Sequence, residues 1–499
     1  MRLTASMGFV CGLLFGACLS AQDLRIENVT VVSPERDAPL QQASVQIRND
    51  RIVAVGKASS RHSGQVIDGT GLYLAPGLID SHVHLADVPG MTPEQQQANA
   101  ATADAMFAQM PRSYLYFGFT TLIELLGNPL RTKDWNAQSL RPDLYFCGGA
   151  AVIDGYPMNW TPKPQRYQLW PYLIVQPTDV KSVPEGMDPA AHTPDAVVKR
   201  MRADGAICVK SFFERGFGNV NQLPVPTPET IDALIRAAHK EHMPVFLHAN
   251  SSEAQAFAAR AGVDAIVHGM WHWTGEDKET STITPSIQQT LDTIVKRNIG
   301  WQPTLQVLYG ELDSLDPAYL SNPLLAHVVS ADLLRWYGTA DGQQYRNGIV
   351  SWLLKQPAST TPETTWKAGQ DFYASFLTRN RNVTAYLAQH RAHFLFGSDT
   401  PSSPTYANPP GLNGWLEMRK LADAGLTPMQ IFKAATLVNA KAIGLDRQIG
   451  SVEPGKRANL LLLRKDPTQS VDAYNEIVKV IVGGKVADRE ELAADRKQR

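Results

Sequence analysis

The sequence carries almost no excess of either charge. Its 499 residues include 47 lysine and arginine residues against 48 aspartate and glutamate residues, a formal net charge of −1 at pH 7. No basic stripe interleaved with aromatic residues is visible, and such a stripe is the usual footprint of nucleic-acid binding. The composition gives no support for a nucleic-acid partner and is typical of an ordinary globular protein.

Long hydrophobic runs are also missing, so no membrane-spanning helix is predicted. The N-terminus is the exception, because the charged start MRLTAS leads into the short apolar run MGFVCGLLFGACLSA. This pattern, ending in a small residue, is typical of a secretory signal peptide. We expect residues 1–21 to be a signal peptide and the protein to be exported to the periplasm. A lipoprotein acylated at Cys18 is the alternative.

Cysteine is scarce. Of the four cysteines, only Cys147 and Cys208 lie beyond the predicted signal peptide. Neither has the CxxC spacing of a zinc knot. An oxidising compartment would allow a disulfide between them, but their apolar surroundings favour two buried free thiols.

Short strand patterns are concentrated at the two ends of the chain. The first end contains LRIENVTVV, ASVQIRNDRIVAVG and QVIDGTGLYLAPG, and the last contains GSVEPGKRANLLLLRKD and IVKVIVGGKV. Their period-two alternation predicts hairpins that turn at Asn49-Asp50 and at Gly483-Gly484. We expect residues 22–76 and 441–490 to form one composite β-sandwich.

The middle of the chain alternates buried strand-length runs with helical patterns. The eight runs are LAPGLIDSHVH, GFTTLIELLG, DLYFCGGAAV, GAICVKSFF, MPVFLHAN, DAIVHGM, IGWQPTL and HFLFGSDT. Repeated β-then-α order predicts an α/β fold, a (β/α)8 TIM barrel over residues 77–440. The stretch from about residue 308 to 390 is too long for a simple connection, so we expect a helical insertion over one mouth of the barrel.

Polar residues end several of these strands. His82 and His84 stand two apart in DSHVH, and residues two apart on a strand face the same side. Four other strands end in Lys210, His248, His268 and Asp399. Any one of these is more often a core residue or a helix cap. Crowded together at one rim, however, they would be costly to bury unless they bound something, and imidazole and carboxylate groups are ligands for zinc or a similar divalent ion.

These motifs resemble the amidohydrolase superfamily, the metal-dependent hydrolases that include urease, dihydroorotase and the prolidase-like dipeptidases. The resemblance rests on PGLIDSHVH, on GFTT, on the strand-end histidines and aspartate, and on AGLTPMQIFKAATLVNAKAIGL with IGSVEPGKRANLLLL. It implies hydrolysis of a C–N bond in a small-molecule substrate.

The resemblance also implies a cofactor and a role for each ligand. Two divalent ions would be bound, and both are expected to be zinc. His82, His84 and Asp399 would bind one ion, and His248 and His268 would bind the other. Lys210 would lie between the two ions as a CO2-derived carbamate. Asp399 would act as general base and then as general acid on water activated by the metals.

The substrate stays open at this stage. A dipeptide or an N-acyl amino acid is expected, and a lactone or ester hydrolase, a mononuclear deaminase and a non-catalytic metal-binding scaffold are the alternatives. In the deaminase branch of the superfamily that this sequence resembles, a catalytic Glu follows the fifth-strand histidine three residues on. His248 is followed by Ala-Asn-Ser instead, so the resemblance disfavours the deaminase. Weaker candidates for substrate binding are Arg215, Tyr156, His272 and Tyr406, of which Arg215 could clamp a carboxylate. The oligomeric state is not predicted.

Overall fold

The computed structural model describes residues 23–57, 64–354, 361–402 and 405–496. The predicted signal peptide, with Cys18, lies outside these residues. Within the described ranges, no helix combines the length and the apolar character that crossing a membrane requires.

The strands of the described residues are grouped into two sheets. In chain order they are β1 (Asp23–Val31), β2 (Leu40–Arg48), β3 (Arg51–Gly56), β4 (Gln65–Asp68), β5 (Tyr73–Pro76), β6 (Leu78–Val83), β7 (Phe119–Glu124), β8 (Asp143–Ala150), β9 (Cys208–Phe212), β10 (Val245–His248), β11 (Ala265–Val267), β12 (Gly300–Gln302), β13 (Leu460–Leu463), β14 (Ile477–Val482) and β15 (Lys485–Asp488).

Threonine–proline pairs start many of the helices. At Thr92, Thr193, Thr227, Thr284, Thr361 and Thr427 the threonine hydroxyl accepts a hydrogen bond from a first-turn N–H, and proline follows it. Both residue types are favoured at these positions. The helices are α1 (Pro93–Ala98), α2 (Ala100–Tyr116), α3 (Pro129–Ala137), α4 (Lys163–Leu169), α5 (Pro194–Ala203), α6 (Pro228–Lys240), α7 (Ser252–Ala261), α8 (Pro285–Lys296), α9 (Leu305–Asp313), α10 (Leu325–Val328), α11 (Ala331–Tyr337), α12 (Gln344–Leu354), α13 (Pro362–Gln389), α14 (Leu412–Asp423), α15 (Pro428–Lys433), α16 (Asn439–Ala442) and α17 (Arg489–Leu492).

Strands β6 to β12 form a parallel sheet in which chain neighbours are also spatial neighbours. An eighth, less regular segment closes it, pairing Phe394 with Trp301 of β12 and Thr400 with Val83 of β6. The N–H of Asp399 donates to the carbonyl of His82 over 2.8 Å. The predicted barrel is confirmed, since seven of the eight predicted runs supply β6 to β12 and the eighth, HFLFGSDT, supplies the closing segment.

The two ends of the chain build a separate mixed sheet, in the order β15-β14-β13-β5-β1-β2-β3 with β4 beside β1. The segment that leads into β13 also contacts the β2–β3 hairpin, because Ala458 N–H donates to the carbonyl of Asp50 and Ile52 N–H donates to the carbonyl of Lys456. The strands therefore enclose an apolar core of their own while belonging to one hydrogen-bonded sheet. Both predicted hairpins are present, between β2 and β3 and between β14 and β15.

Apolar side chains fill the barrel beneath the strand ends. Cys208 lies two residues before Lys210 on β9, and Phe246 lies two residues before His248 on β10, so each pair shares a face. Both Cys208 and Phe246 belong to a buried cluster drawn from several barrel strands. This packed layer supports the polar groups above it.

The expectation of free thiols is wrong, because Cys147 and Cys208 form a disulfide. They are paired directly across the neighbouring strands β8 and β9, with Cα atoms 4.4 Å apart. That separation lies within the range that a disulfide spans. The two cysteines are 61 residues apart, and only the strand register brings them together.

We expect the disulfide to contribute to stability. Closing a loop of this length removes chain entropy from the unfolded state, and we expect the free energy of unfolding to fall by about 2–4 kcal/mol in the Cys147→Ala/Cys208→Ala double variant. Urea unfolding of both proteins, with and without reductant, measures this. The double variant should not respond to reductant. Equal stability of the two oxidised proteins would contradict the prediction.

Candidate metal centre

The predicted ligands stand at or just beyond the carboxyl ends of the barrel strands. His82 lies in β6, Lys210 in β9 and His248 at the end of β10. His84, His268 and Asp399 lie just beyond β6, just beyond β11 and in the closing segment. All are buried except His84, whose side chain is 24% exposed. Parallel strands present these ends at one rim, where barrel enzymes hold their active sites.

Three of these side chains converge on one point. Asp399 Oδ1 lies 2.9 Å from His82 Nε2 and 3.0 Å from His84 Nε2, and the two imidazole nitrogens are 3.2 Å apart. Ligands that share a divalent ion at about 2.0–2.2 Å lie about 2.8–3.6 Å from one another, for right-angle to tetrahedral geometry. The donor set and its spacing therefore fit such an ion.

His268 and His248 extend the group. One ligand atom each from His82, His268 and Asp399 lie within 4.8 Å of one another. Asp399 Oδ2 is 3.7 Å from His268 Nδ1, and the ring centroids of His248 and His268 are 4.5 Å apart. The predicted histidines and aspartate thus form one continuous cluster.

The protonation states also suit a cation. Burial lowers the pKa of His82 to about 3 and lowers the pKa values of His248 and His268. Burial alone would raise the pKa of Asp399, but His82, His84 and His268 hold that pKa well below its usual range. At neutral pH the three buried imidazoles are neutral and the carboxylate is ionised, which are the forms that bind metals.

Lys210 is a buried amine that lacks a hydrogen-bond partner among the described residues. Its side chain is 1% exposed, and Nζ has no hydrogen bond to any described residue. Burial lowers its pKa to about 7, against the opposing effect of the Asp399 charge. A buried polar nitrogen without a hydrogen-bond partner is costly, which makes Lys210 a candidate for binding a further group.

Residues that the sequence analysis missed orient the histidines. Gln302 Oε1 lies 2.9 Å from His82 Nδ1, which leaves Nε2 facing Asp399. Thr304 Oγ1 lies 3.0 Å from His268 Nδ1. Both are polar residues at or just beyond the end of a barrel strand, in the seventh run IGWQPTL. The sequence therefore did contain a signal for them.

Two missed carboxylates also adjoin the cluster. Glu214 Oε2 lies 3.3 Å from His248 Nε2, and the Glu214 side chain is 5% exposed. Asp80 accepts from the backbone N–H groups of His82 and Ser398, so it joins the first strand to the closing segment. A carboxylate that hydrogen-bonds to a ligand histidine, as Glu214 does to His248, fixes the orientation of the imidazole ring.

Backbone strain marks the same rim. His268, Thr304 and Asp399 have φ values of 78°, 42° and 55°, in the left-handed region that residues other than glycine seldom adopt. Such conformations cluster at functional sites, where the surrounding structure holds them in place.

The weaker candidates have different surroundings. The Tyr156 ring centroid lies 4.8 Å from that of His248, so Tyr156 adjoins the cluster. Arg215 forms a bidentate ion pair with Glu253, and both side chains are more than 40% exposed. Tyr406 is buried and its hydroxyl donates to the carbonyl of Ser314, and His272 is exposed. Their roles in substrate binding stay predictions.

Comparison with known proteins finds a family match over most of the chain. A family model described as the amidohydrolase family matches residues 73–294 and 345–487. Over 107 residues, 21% of this chain and 22% of the relative, the sequence is 35% identical to a dihydroorotase of Streptococcus thermophilus (strain CNRZ 1066). The match spans about a fifth of the length of that curated relative.

Solved structures resemble nearly the whole chain. A Xaa-Pro dipeptidase with bound methionine in its active site has a TM-score of 0.61 and 19% identity, covering 94% of this chain and all of that one. Ochratoxinase of A. niger has a TM-score of 0.63 and 17% identity, covering 96% of this chain and 99% of that one. At these identities the likeness establishes a common fold.

Proposed function

This chain belongs to the amidohydrolase family, and we propose that it is a metal-dependent hydrolase that cleaves the C–N bond of a small amide, such as a dipeptide or an N-acyl amino acid. The observation that carries the proposal is the convergence of His82, His268 and Asp399, all buried, within 4.8 Å. The structural likeness to a Xaa-Pro dipeptidase supports a substrate of dipeptide type.

The cofactor we propose is a pair of divalent ions, with zinc expected. His82, His84 and Asp399 would hold one ion, and His248 and His268 the other. Bound metals of this kind supply a water of lowered pKa and a Lewis acid for the substrate carbonyl. The neutral imidazoles and the ionised carboxylate described above are suited to this task.

Asp399 is the proton carrier in this proposal. It is ionised at neutral pH because its histidine neighbours hold its pKa well below the usual range. Asp399 accepts the proton of the attacking water and then donates it to the leaving nitrogen, so that the amine departs neutral. One group therefore serves both halves of the reaction. Gln302 and Thr304 hold the His82 and His268 rings in place during the transfer.

Lys210 is proposed to be carboxylated. Its neutral Nζ attacks CO2, an N–C bond forms, and the nitrogen loses one proton to solvent, which leaves a carbamate. The buried nitrogen, which has no hydrogen-bond partner, supports this change, because a carbamate replaces a poor ligand with two oxygens that share a negative charge. A carbamate between the two histidine groups would offset part of the positive charge of two metals.

A substrate panel tests the proposed activity. Protein purified without chelator is offered Xaa-Pro and other dipeptides, N-acyl amino acids, lactones and aminated heterocycles. We expect turnover of at least one amide, its loss after chelation and its return on adding Zn²⁺. Turnover of lactones alone, or release of ammonia from the heterocycles alone, would contradict the C–N assignment and favour the ester hydrolase or the deaminase.

The cellular location of the protein is a separate proposal. We propose that it is exported after removal of residues 1–21. The Cys147–Cys208 disulfide supports this, because disulfides persist mainly in oxidising compartments. Fractionation of the producing cells, with N-terminal sequencing of the mature protein, distinguishes a new terminus at Gln22 from acylation at Cys18.

A further inference from the structure

Two exposed aromatic side chains lie close to the proposed metal centre. Trp160 ends a short 3₁₀ turn, Met158–Trp160, in the segment between β8 and β9, and it is 66% exposed. Phe217 lies in the loop after β9 and is 46% exposed. Large apolar rings are usually buried, and when several are exposed together they mark a binding surface.

Tyr156 joins both rings to the centre. Its ring centroid is 4.9 Å from that of Trp160 and 5.7 Å from that of Phe217. On its other side it lies 4.8 Å from His248. A continuous set of ring contacts therefore leads from a proposed metal ligand to the protein surface.

Trp160 and Phe217 both meet Tyr156 at steep ring angles. The planes of Trp160 and Phe217 stand at 80° and 73° to the plane of Tyr156. Phe212, at the end of β9, packs against Tyr156 at 5.8 Å and is 4% exposed. The buried Phe212 ring thus packs against Tyr156, while Trp160 and Phe217 leave ring surface open to solvent.

We propose that Tyr156, Trp160 and Phe217 form a substrate subsite that takes an aromatic or large aliphatic group of the amide. We call these three residues the aromatic subsite. Edge and face contacts with aromatic rings favour an aromatic group over a methyl group. The proposal rests on the proposed function, since it places this group beside the bond that the centre would cleave.

Binding of inert ligands tests the subsite without turnover. Sulfonamides replace amides, in two matched pairs that differ by one phenyl ring. The pairs are N-(benzylsulfonyl)glycine with N-(methylsulfonyl)glycine, and N-(methylsulfonyl)phenylalanine with N-(methylsulfonyl)alanine. Titration calorimetry on the protein as purified gives each Kd. In at least one pair we expect the phenyl ligand to bind about tenfold tighter.

Variants then assign the preference to these residues. Trp160→Ala and Phe217→Ala should each remove most of it. Trp352→Ala is the matched control, because Trp352 is 60% exposed on α12, where it packs against Phe372, and it should keep the full preference. Because Trp160 and Phe217 are both exposed, all three variants should retain the wild-type unfolding midpoint.

Two results would overturn the subsite. One is equal binding of both members of each pair by the wild-type protein, and the other is an unchanged preference in both Trp160→Ala and Phe217→Ala. Failure of the proposed function looks different. Suppose that the wild-type protein prefers the phenyl ligands, that Trp160→Ala and Phe217→Ala lose this preference, and that the protein cleaves no amide. This result would support the subsite and contradict the proposed hydrolase activity.

Discussion

In the Asp399→Asn variant we expect amide hydrolysis to fall by at least about a thousandfold. Asparagine keeps the size of the side chain but cannot accept and return a proton. It also removes the negative charge that lies 2.9 Å from His82 and 3.0 Å from His84. The loss should therefore appear in kcat, together with weaker retention of metal.

The measurement is kcat and KM for the best amide of the panel, with metal content determined on the same samples. Asp371→Asn is the control, because Asp371 is an exposed carboxylate on α13 that pairs with Lys367, and it should leave both quantities unchanged. An Asp399→Asn variant that kept a tenth of the wild-type kcat would exclude Asp399 as the proton carrier.

Lys210→Ala should have the second large effect. We expect metal per chain to fall from two to one or none, because the variant lacks the amine that would carry the bridging carbamate. Turnover should fall with it, by at least about a hundredfold. Mass spectrometry of metals measures the stoichiometry. Lys240→Ala, at a side chain that is 71% exposed, is the matched control and should keep both metals.

The carbamate itself can be observed and has a predicted pH dependence. Protein equilibrated with ¹³C-labelled bicarbonate should give a carbamate ¹³C signal that Lys210→Ala lacks. Because burial lowers the pKa of Lys210 to about 7, the amine is neutral and reactive above that pH and becomes an unreactive ammonium below it. In metal-free protein the signal should therefore weaken as the pH falls below about 7. A signal of equal strength in Lys210→Ala would exclude Lys210 as its source.

The barrel and its rim could be predicted because their signals are local. Each barrel strand is a short apolar run, and each predicted ligand ends one such run or follows it closely. The spacing of His82 and His84 is a property of any strand, and so needs no knowledge of what surrounds it. Gln302 and Thr304 also lie at the end of a barrel strand. They were missed because amide and hydroxyl groups are common at such positions.

Other features depend on register and packing that no local pattern contains. The Cys147–Cys208 disulfide follows from the pairing of β8 with β9. The ion pair of Arg215 with Glu253 joins residues 38 positions apart. The aromatic subsite brings together loops on either side of β9, and nothing in Trp160 or Phe217 taken alone points to His248.

Titration of metal-free protein with Zn²⁺, following bound metal and amide hydrolysis together, tests the central claim most directly. We predict that hydrolysis is absent without metal and rises as metal binds, reaching its maximum at two ions per chain. Hydrolysis that is undiminished in the metal-free protein, or a protein that retains no Zn²⁺, would contradict a metal-dependent hydrolase built on His82, His84, His248, His268 and Asp399.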